Sequence, residues 1–258
     1  MVQKRTFIAF AFCVIGVAFA QSFLSFHENM YHFRESFLNL PKPTIHSTKV
    51  FDEDHIYEYD DFLTKEECES LIEFARDKVL ESKVVCKDGV HCFNKDVRTS
   101  RNTFVNDESH ASVEKITKKV EEIMGMHRKY FEDLQIVHYQ KGQLYTEHYD
   151  ACPEADIKDC DAHVLKSGQR YATFLIYLND DFEGGETCFP KRIRSDGTCN
   201  DLDTYKVKPK RGKAVLFFNL NPDGVSVKPE SLHAGLPPTR GEKWMCNKWI
   251  RTGPFNDK

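Results

Sequence analysis

Leu134-Gln-Ile-Val-His-Tyr139, a polar break at Gln140-Lys-Gly142, then Gln143-Leu-Tyr-Thr-Glu-His-Tyr-Asp150: this stretch decides how the second half of the chain reads. Aromatic and β-branched residues gather in two short runs on either side of a glycine turn, as they do in strands. The pattern recurs to the C-terminus, with runs at Leu134–Tyr139, Leu144–Asp150, Tyr171–Leu178, Glu186–Phe189, Tyr205–Val207, Ala214–Phe218, Ser231–Ala234 and Trp244–Ile250. Many short strands separated by Gly-rich turns predict a sandwich or a jelly roll. Upstream the period changes. Thr64 and Glu67 make a capping box ahead of Cys68, Leu71, Ile72 and Ala75, which share one helical face. Ser112–Met126 places Val113, Ile116, Val120, Ile123 and Met124 at helical spacing, which predicts a second helix. Two helices ahead of the strands cover one sheet and make the domain α+β.

Farther out, the domain proper runs over residues 50–258, and residues 21–49, rich in aromatics and His and ending in Pro41-Lys42-Pro43, read as a stem or linker. Residues 1–20 differ from everything after them: Lys4 and Arg5 precede an apolar run from Phe7 to Ala20 that ends in Ala18-Phe19-Ala20. A basic head, an apolar stretch of about 7–15 residues and a small-residue ending describe a signal peptide. The run is shorter than the ~18–20 residues that span a bilayer, but Phe23, Leu24 and Phe26 extend it, so a signal anchor stays open as the alternative. Both send the remainder into the secretory pathway, as a protein of the endoplasmic reticulum lumen, a type II membrane-anchored protein or a secreted one. Membrane contact is expected only through that leader. With 36 Lys and Arg against 40 Asp and Glu there is no basic surplus, which excludes a nucleic-acid partner as the expectation.

Of nine cysteines, Cys13 lies in the leader, and three close pairs fall in loop-like sequence: Cys86 with Cys92, Cys152 with Cys160, and Cys188 with Cys199. In an oxidising compartment such pairs predict disulfides that clip loops shut. Zinc is the rival, but no C-x₂-C pair occurs. Cys68, on an apolar helix face, and Cys246, in a strand, read as buried free thiols.

The chemistry centres on His148-Tyr149-Asp150. On a strand, residues i and i+2 share a face, so an imidazole and a carboxylate converge there. Those are two legs of the 2-His-1-carboxylate triad that leaves positions open on a non-haem Fe(II), and His233 in Ser231-Leu-His233-Ala-Gly235 is the natural third. Alone, H-x-D is a weak signal, and a strand histidine is more often structural. Lys243, ten residues beyond His233, strengthens it. An oxygenase that uses 2-oxoglutarate has to neutralise that cosubstrate's distal carboxylate in a dry pocket, and a lysine on a neighbouring strand does so. The competing reading of Lys243 is a solvated strand-edge lysine.

At this point the chain resembles the prolyl 4-hydroxylase family, the compact plant and algal type above all. The resemblance runs from about Asp52 to Pro254 and is densest in Leu134–Tyr139, Gly142–Asp150, Gln169–Thr173, Glu183–Thr187, Lys213–Phe218, Ser231–His233 and Lys243–Trp249. It implies a double-stranded β-helix (jelly roll) with supporting N-terminal helices. It implies hydroxylation of peptidyl proline at C4 with O₂ and 2-oxoglutarate, releasing succinate and CO₂, with L-ascorbate keeping the iron reduced. His148, Asp150 and His233 fall at the family's Fe(II) ligands, Lys243 and Tyr139 at its 2-oxoglutarate contacts, and Arg170 and Trp249 at its peptide-contacting residues. Core packing for Trp249 and a surface salt bridge for Arg170 are the plain alternatives; Tyr145 reads equally as packing. The implied partner is a proline-containing peptide or protein. The resemblance leaves no room before Val50 for the helical peptide-binding domain of animal collagen enzymes, which puts strict collagen specificity in doubt. A related oxygenase acting on lysyl residues and an inactive jelly-roll binding module are the other readings; the first is opposed by Lys243, where the lysyl enzymes carry Arg, and the second by the complete triad.

Overall fold

A computed structural model describes residues 49–51, 56–153, 160, 162–192, 197–202 and 204–255. The leader and all of the stem except Lys49 lie outside them. The core is a pair of antiparallel sheets. The larger has eight strands in the order Lys49–Phe51, Ile56–Tyr59, Ala214–Phe218, Arg170–Tyr177, Lys243–Arg251, Leu134–Tyr139, Arg101–Val105 and Leu80–Glu81. The smaller has four, in the order Tyr205–Val207, Thr187–Phe189, His233–Gly235 and Tyr145–His148. Most neighbours are far apart in sequence, as in the jelly roll that the resemblance implied.

Central strands buried on both faces explain the near-continuous apolar runs. In the strand Leu134–Tyr139, Leu134 and Ile136 join one apolar cluster while Val137 and Tyr139 join a second. Phe174 and Ile176 alternate with Leu175 and Tyr177 in the same way, and Leu216 with Val215 and Phe217. The first cluster packs beneath the helices Lys65–Ala75 and Ala111–Met124, which contribute Cys68, Leu71, Val113, Ile116 and Val120. The second is the filling between the sheets, to which Phe189 and Val207 come from the small sheet. The capping box forms as expected: Glu67 N donates to Thr64 Oγ1 at 3.2 Å and Thr64 N to Glu67 Oε2 at 2.9 Å. Gly125, at φ 63°, ends the second helix in the left-handed region that glycine adopts without cost.

Two expected strands beside the site are shorter than their sequence pattern. Leu144–Asp150 is a strand only over Tyr145–His148, and Asp150 sits in the bend beyond it. Ser231 belongs to a 3₁₀ turn, Pro229–Ser231, and the strand opens at His233. The three loop disulfides form as their spacing suggested, and Cys68 and Cys246 are free and buried. No helix among the described residues is long and apolar enough to cross a membrane.

Candidate active site

The register of the small sheet sets His233 directly opposite His148. Each imidazole makes the same local bond: Nδ1 of His148 to the Thr146 carbonyl at 2.7 Å, and Nδ1 of His233 to the Ser231 carbonyl at 2.9 Å. A carbonyl only accepts, so both Nδ1 atoms donate there, and the Nε2 atoms are the ones turned to a ligand. Those Nε2 atoms point at Asp150, with Oδ1 3.9 Å from His148 and Oδ2 3.8 Å from His233. The three donor atoms all lie within 4.8 Å of one another. Two imidazoles and a carboxylate, gathered from one side of a cleft, suit a divalent first-row metal with open positions.

The walls hold these groups in place. Tyr145 stacks on His148 with ring centroids 3.5 Å apart, and the Arg98 guanidinium lies over Tyr145 at 4.5 Å. Tyr145 is thus packing, but packing that fixes the His148 ring. Phe217 meets the His233 ring edge-on at 4.8 Å. Asp150 Oδ2 accepts from Thr173 Oγ1 at 2.6 Å and from Trp249 Nε1 at 3.0 Å, and Thr173 Oγ1 in turn accepts from Asn219 Nδ2 at 2.9 Å. Burial acts to raise the Asp150 pKa, but the imidazoles of His233 and His148 outweigh it and hold the carboxyl low. Burial, with His233 adding to it, drives His148 well below its ordinary value, so the ring stays neutral.

A second feature lies behind the triad. Lys243 pairs with Tyr139 across the large sheet, is fully buried, and its Nζ has no hydrogen-bond partner among the described residues. Burial pulls its pKa down to about 7, with Glu186 acting weakly the other way. The solvated-lysine reading therefore fails. Nζ stands 5.0 Å from the Tyr139 ring and 5.4 Å from that of Tyr177. Tyr139, in the cleft wall with the triad, comes so close to Gly235 that a Cβ there would stand 3.1 Å from its hydroxyl. An orphaned ammonium in a dry site asks for an anion, and a dicarboxylate reaching from a metal at the triad supplies one. The residues present fit both Fe(II) and 2-oxoglutarate.

Residues 134–251 match the 2OG-Fe(II) oxygenase superfamily. Probable prolyl 4-hydroxylase 8 of Arabidopsis thaliana is 36% identical over 215 residues, which cover 79% of this chain and 71% of that protein. Prolyl 4-hydroxylase 5 of the same plant is 37% identical over 205 residues, 76% of this chain and 68% of its own length. The chain belongs to the prolyl 4-hydroxylase family. A viral collagen prolyl hydroxylase from Paramecium Bursaria Chlorella virus-1, solved with 2-oxoglutarate, superposes with a TM-score of 0.57 at 31% identity, over 78% of this chain and 98% of that one. A Trichoplax adhaerens prolyl hydroxylase solved with a hypoxia inducible factor peptide fragment shares the fold at a TM-score of 0.52 and 14% identity, over 78% and 84% of the two chains. As a prolyl 4-hydroxylase family member, the protein is an Fe(II)- and 2-oxoglutarate-dependent oxygenase.

In this prolyl 4-hydroxylase the two residues expected at the peptide side are tied to the metal side. Trp249 is buried and gives its N–H to Asp150. The Arg170 guanidinium lies over the Trp249 ring at 3.5 Å, and its Nε and Nη2 bond both oxygens of Glu132 at 2.6 and 2.8 Å. Glu132 is itself buried and also accepts from Arg251 Nε at 2.8 Å, so the salt bridge of Arg170 is not a surface one. Both Arg170 and Trp249 still line the cleft. Sequence reading missed Thr173, Asn219 and Arg98; of these only Thr173 gave a sign, as a hydroxyl inside the apolar run Tyr171–Leu178.

Proposed function

We propose that this enzyme hydroxylates C4 of prolyl residues in a peptide or protein substrate, with His148, Asp150 and His233 holding Fe(II), and Lys243 and Tyr139 holding 2-oxoglutarate. The observation that carries this reading is a three-donor cluster in which both imidazoles turn Nε2 toward Asp150, placed beside a fully buried lysine whose Nζ has no partner among the described residues. When bound, iron and 2-oxoglutarate activate O₂, with loss of CO₂ and formation of succinate, and L-ascorbate restores the ferrous state. The protein supplies position and dryness. Trp249 and Thr173 aim the Asp150 carboxylate, and Tyr145 and Phe217 fix the two imidazoles. Lys243 neutralises the distal carboxylate, and Tyr139 donates a hydrogen bond to it. Arg170, held flat on Trp249 by Glu132, offers the peptide a rigid polar edge at the mouth.

The domain is assigned to residues 50–258, behind a leader at 1–20 and a stem at 21–49. The three disulfides and the leader pattern support the secretory pathway, with residence in the endoplasmic reticulum lumen or attachment by an uncleaved anchor as the specific reading. A test is 2-oxoglutarate decarboxylation with and without a Pro-rich peptide, followed by mass analysis of the peptide. Stimulated turnover with one added oxygen on proline is expected. Decarboxylation that no Pro-rich peptide stimulates, or oxygen found on lysine, would overturn the assignment.

A further inference from the structure

The strand that carries His148 is not regular. Its register pairs His148 with His233 and Tyr145 with Gly235, so Thr146 and Glu147 stand together opposite Ala234. Two residues against one make a β-bulge, which bends a strand and re-aims its side chains. The consequence is visible in the rings. Tyr145 and His148 are three residues apart and would point to opposite faces of a regular strand. Instead they stack, with centroids 3.5 Å apart and planes at 15°. The bulge brings both to one side, and its Thr146 carbonyl takes the Nδ1–H of His148.

A bulge leaves the ladder locally disrupted, so other bonds have to hold it. At the outer edge, Thr146 N donates to Val97 O at 2.9 Å. Glu147 is exposed, and its Oε1 accepts from Cys199 N at 2.8 Å. Cys199 is bonded to Cys188, which lies in the strand Thr187–Phe189 opposite Ala234. One covalent bridge thus runs from the partner of His233's neighbour to the residue that bonds His148's neighbour. Lys191 Nζ adds a contact on the other flank, donating to Tyr149 Oη at 3.3 Å. Both residues beside His148 are therefore held by the segment that the Cys188–Cys199 bridge closes.

We propose that Glu147 is a positioning residue for the iron site: the Cys188–Cys199 bridge presents the Cys199 N–H to its carboxylate, and that bond fixes the bulge that turns His148 toward Asp150 and His233. The inference rests on the iron reading above. Glu147 touches no reacting group and acts through His148. Lys243 and Tyr139 pair within the large sheet, so the lock bears on the metal rather than on the pocket for the distal carboxylate.

Anaerobic calorimetric titration of the full chain with Fe(II), without cosubstrate, tests this. Glu147→Ala should raise the Kd for Fe(II) about tenfold, the low end of the range for groups that orient metal ligands. Glu147→Gln keeps an oxygen acceptor and should stay within about twofold of wild type. Cys188→Ala with Cys199→Ser should weaken binding to a similar degree. Adding Glu147→Ala to that pair should change the Kd little further, because both act through one contact. At saturating Fe(II), the KM for 2-oxoglutarate should match the wild type in every variant. An unchanged Kd in Glu147→Ala, a Gln variant as weak as the Ala variant, or losses that multiply in the combined variant would each overturn the inference and leave the iron reading intact. A wild type that takes up no Fe(II) would overturn the iron reading itself, and this inference with it.

Discussion

Replacing Lys243 with Met should make the ligand-free protein more stable and destroy its response to 2-oxoglutarate. The ammonium has an ordinary value of 10.5 and about 7 in the folded chain, because burial disfavours its charge and nothing pairs with it. At ~1.4 kcal/mol per pH unit, holding that group costs the fold about 4 kcal/mol at pH 7 and about 2 kcal/mol at pH 9. The sign follows from proton counting. Between pH 7 and 10.5 the unfolded chain binds more protons than the folded one, so the penalty is complete below about 7 and fades as the pH rises. Methionine fills similar space without charge. Urea unfolding of metal-free Lys243→Met against wild type should therefore show a stability gain of about 4 kcal/mol at pH 7 that shrinks to about 2 at pH 9. Binding a dicarboxylate restores the charged form, so the wild-type Kd for 2-oxoglutarate should rise about tenfold per pH unit above 7. The variant should bind 2-oxoglutarate at least a hundredfold more weakly, as a buried carboxylate loses its partner. A variant no more stable than wild type, with parallel pH curves, would show that Nζ is solvated or paired and would refute the reasoning.

Other expectations bear on the metal and its frame. His148→Ala, Asp150→Ala and His233→Ala should each abolish turnover with the unfolding midpoint little changed; full activity in any one removes that residue from the ligand set. Trp249→Phe and Thr173→Val each take one donor from Asp150 Oδ2 and should weaken Fe(II) binding about 10–100-fold by titration, with unaltered affinity counting against an orienting role. Glu132, pushed up by burial but held down to about 2 by Arg170 and Arg251, should contribute its stability above pH 4.5 and lose it as the pH falls toward 2. Glu132→Gln should cost about 3–5 kcal/mol at pH 7, a deficit against wild type that narrows in acid; a constant deficit would point to packing instead.

Much of this site was legible because strand chemistry is local. His148 and Asp150 are two residues apart, and the aromatic and β-branched residues of Leu134–Tyr139 mark that stretch as a strand. The third ligand and Lys243 depend on register, which single strands do not disclose; the family resemblance carried them. What stayed hidden is what long-range pairing creates. The polar strand Arg101–Val105 and the short Ile56–Tyr59 show no clear period of their own and are strands because the large sheet extends to take them. Asn219 supports Asp150 through Thr173, a path over three separate segments. Trp249 was expected at the peptide, and what the sequence did not disclose is that its N–H also reaches Asp150, because Thr173 and Trp249 are cross-strand partners.

All three disulfides close short loops, with sequence separations of 6, 8 and 11, and none ties helix to sheet or one sheet to the other. Two of them, Cys86–Cys92 and Cys152–Cys160, sit at the rim of the cleft beside His148 and Asp150. Each loop of this size contributes about 2–3 kcal/mol by restricting the open chain, and none of the three bridges spans the apolar layers. His148, Asp150 and His233 are held by strand register and side-chain bonds rather than by either rim bridge, and what the two rim disulfides constrain is the contour of the cleft mouth.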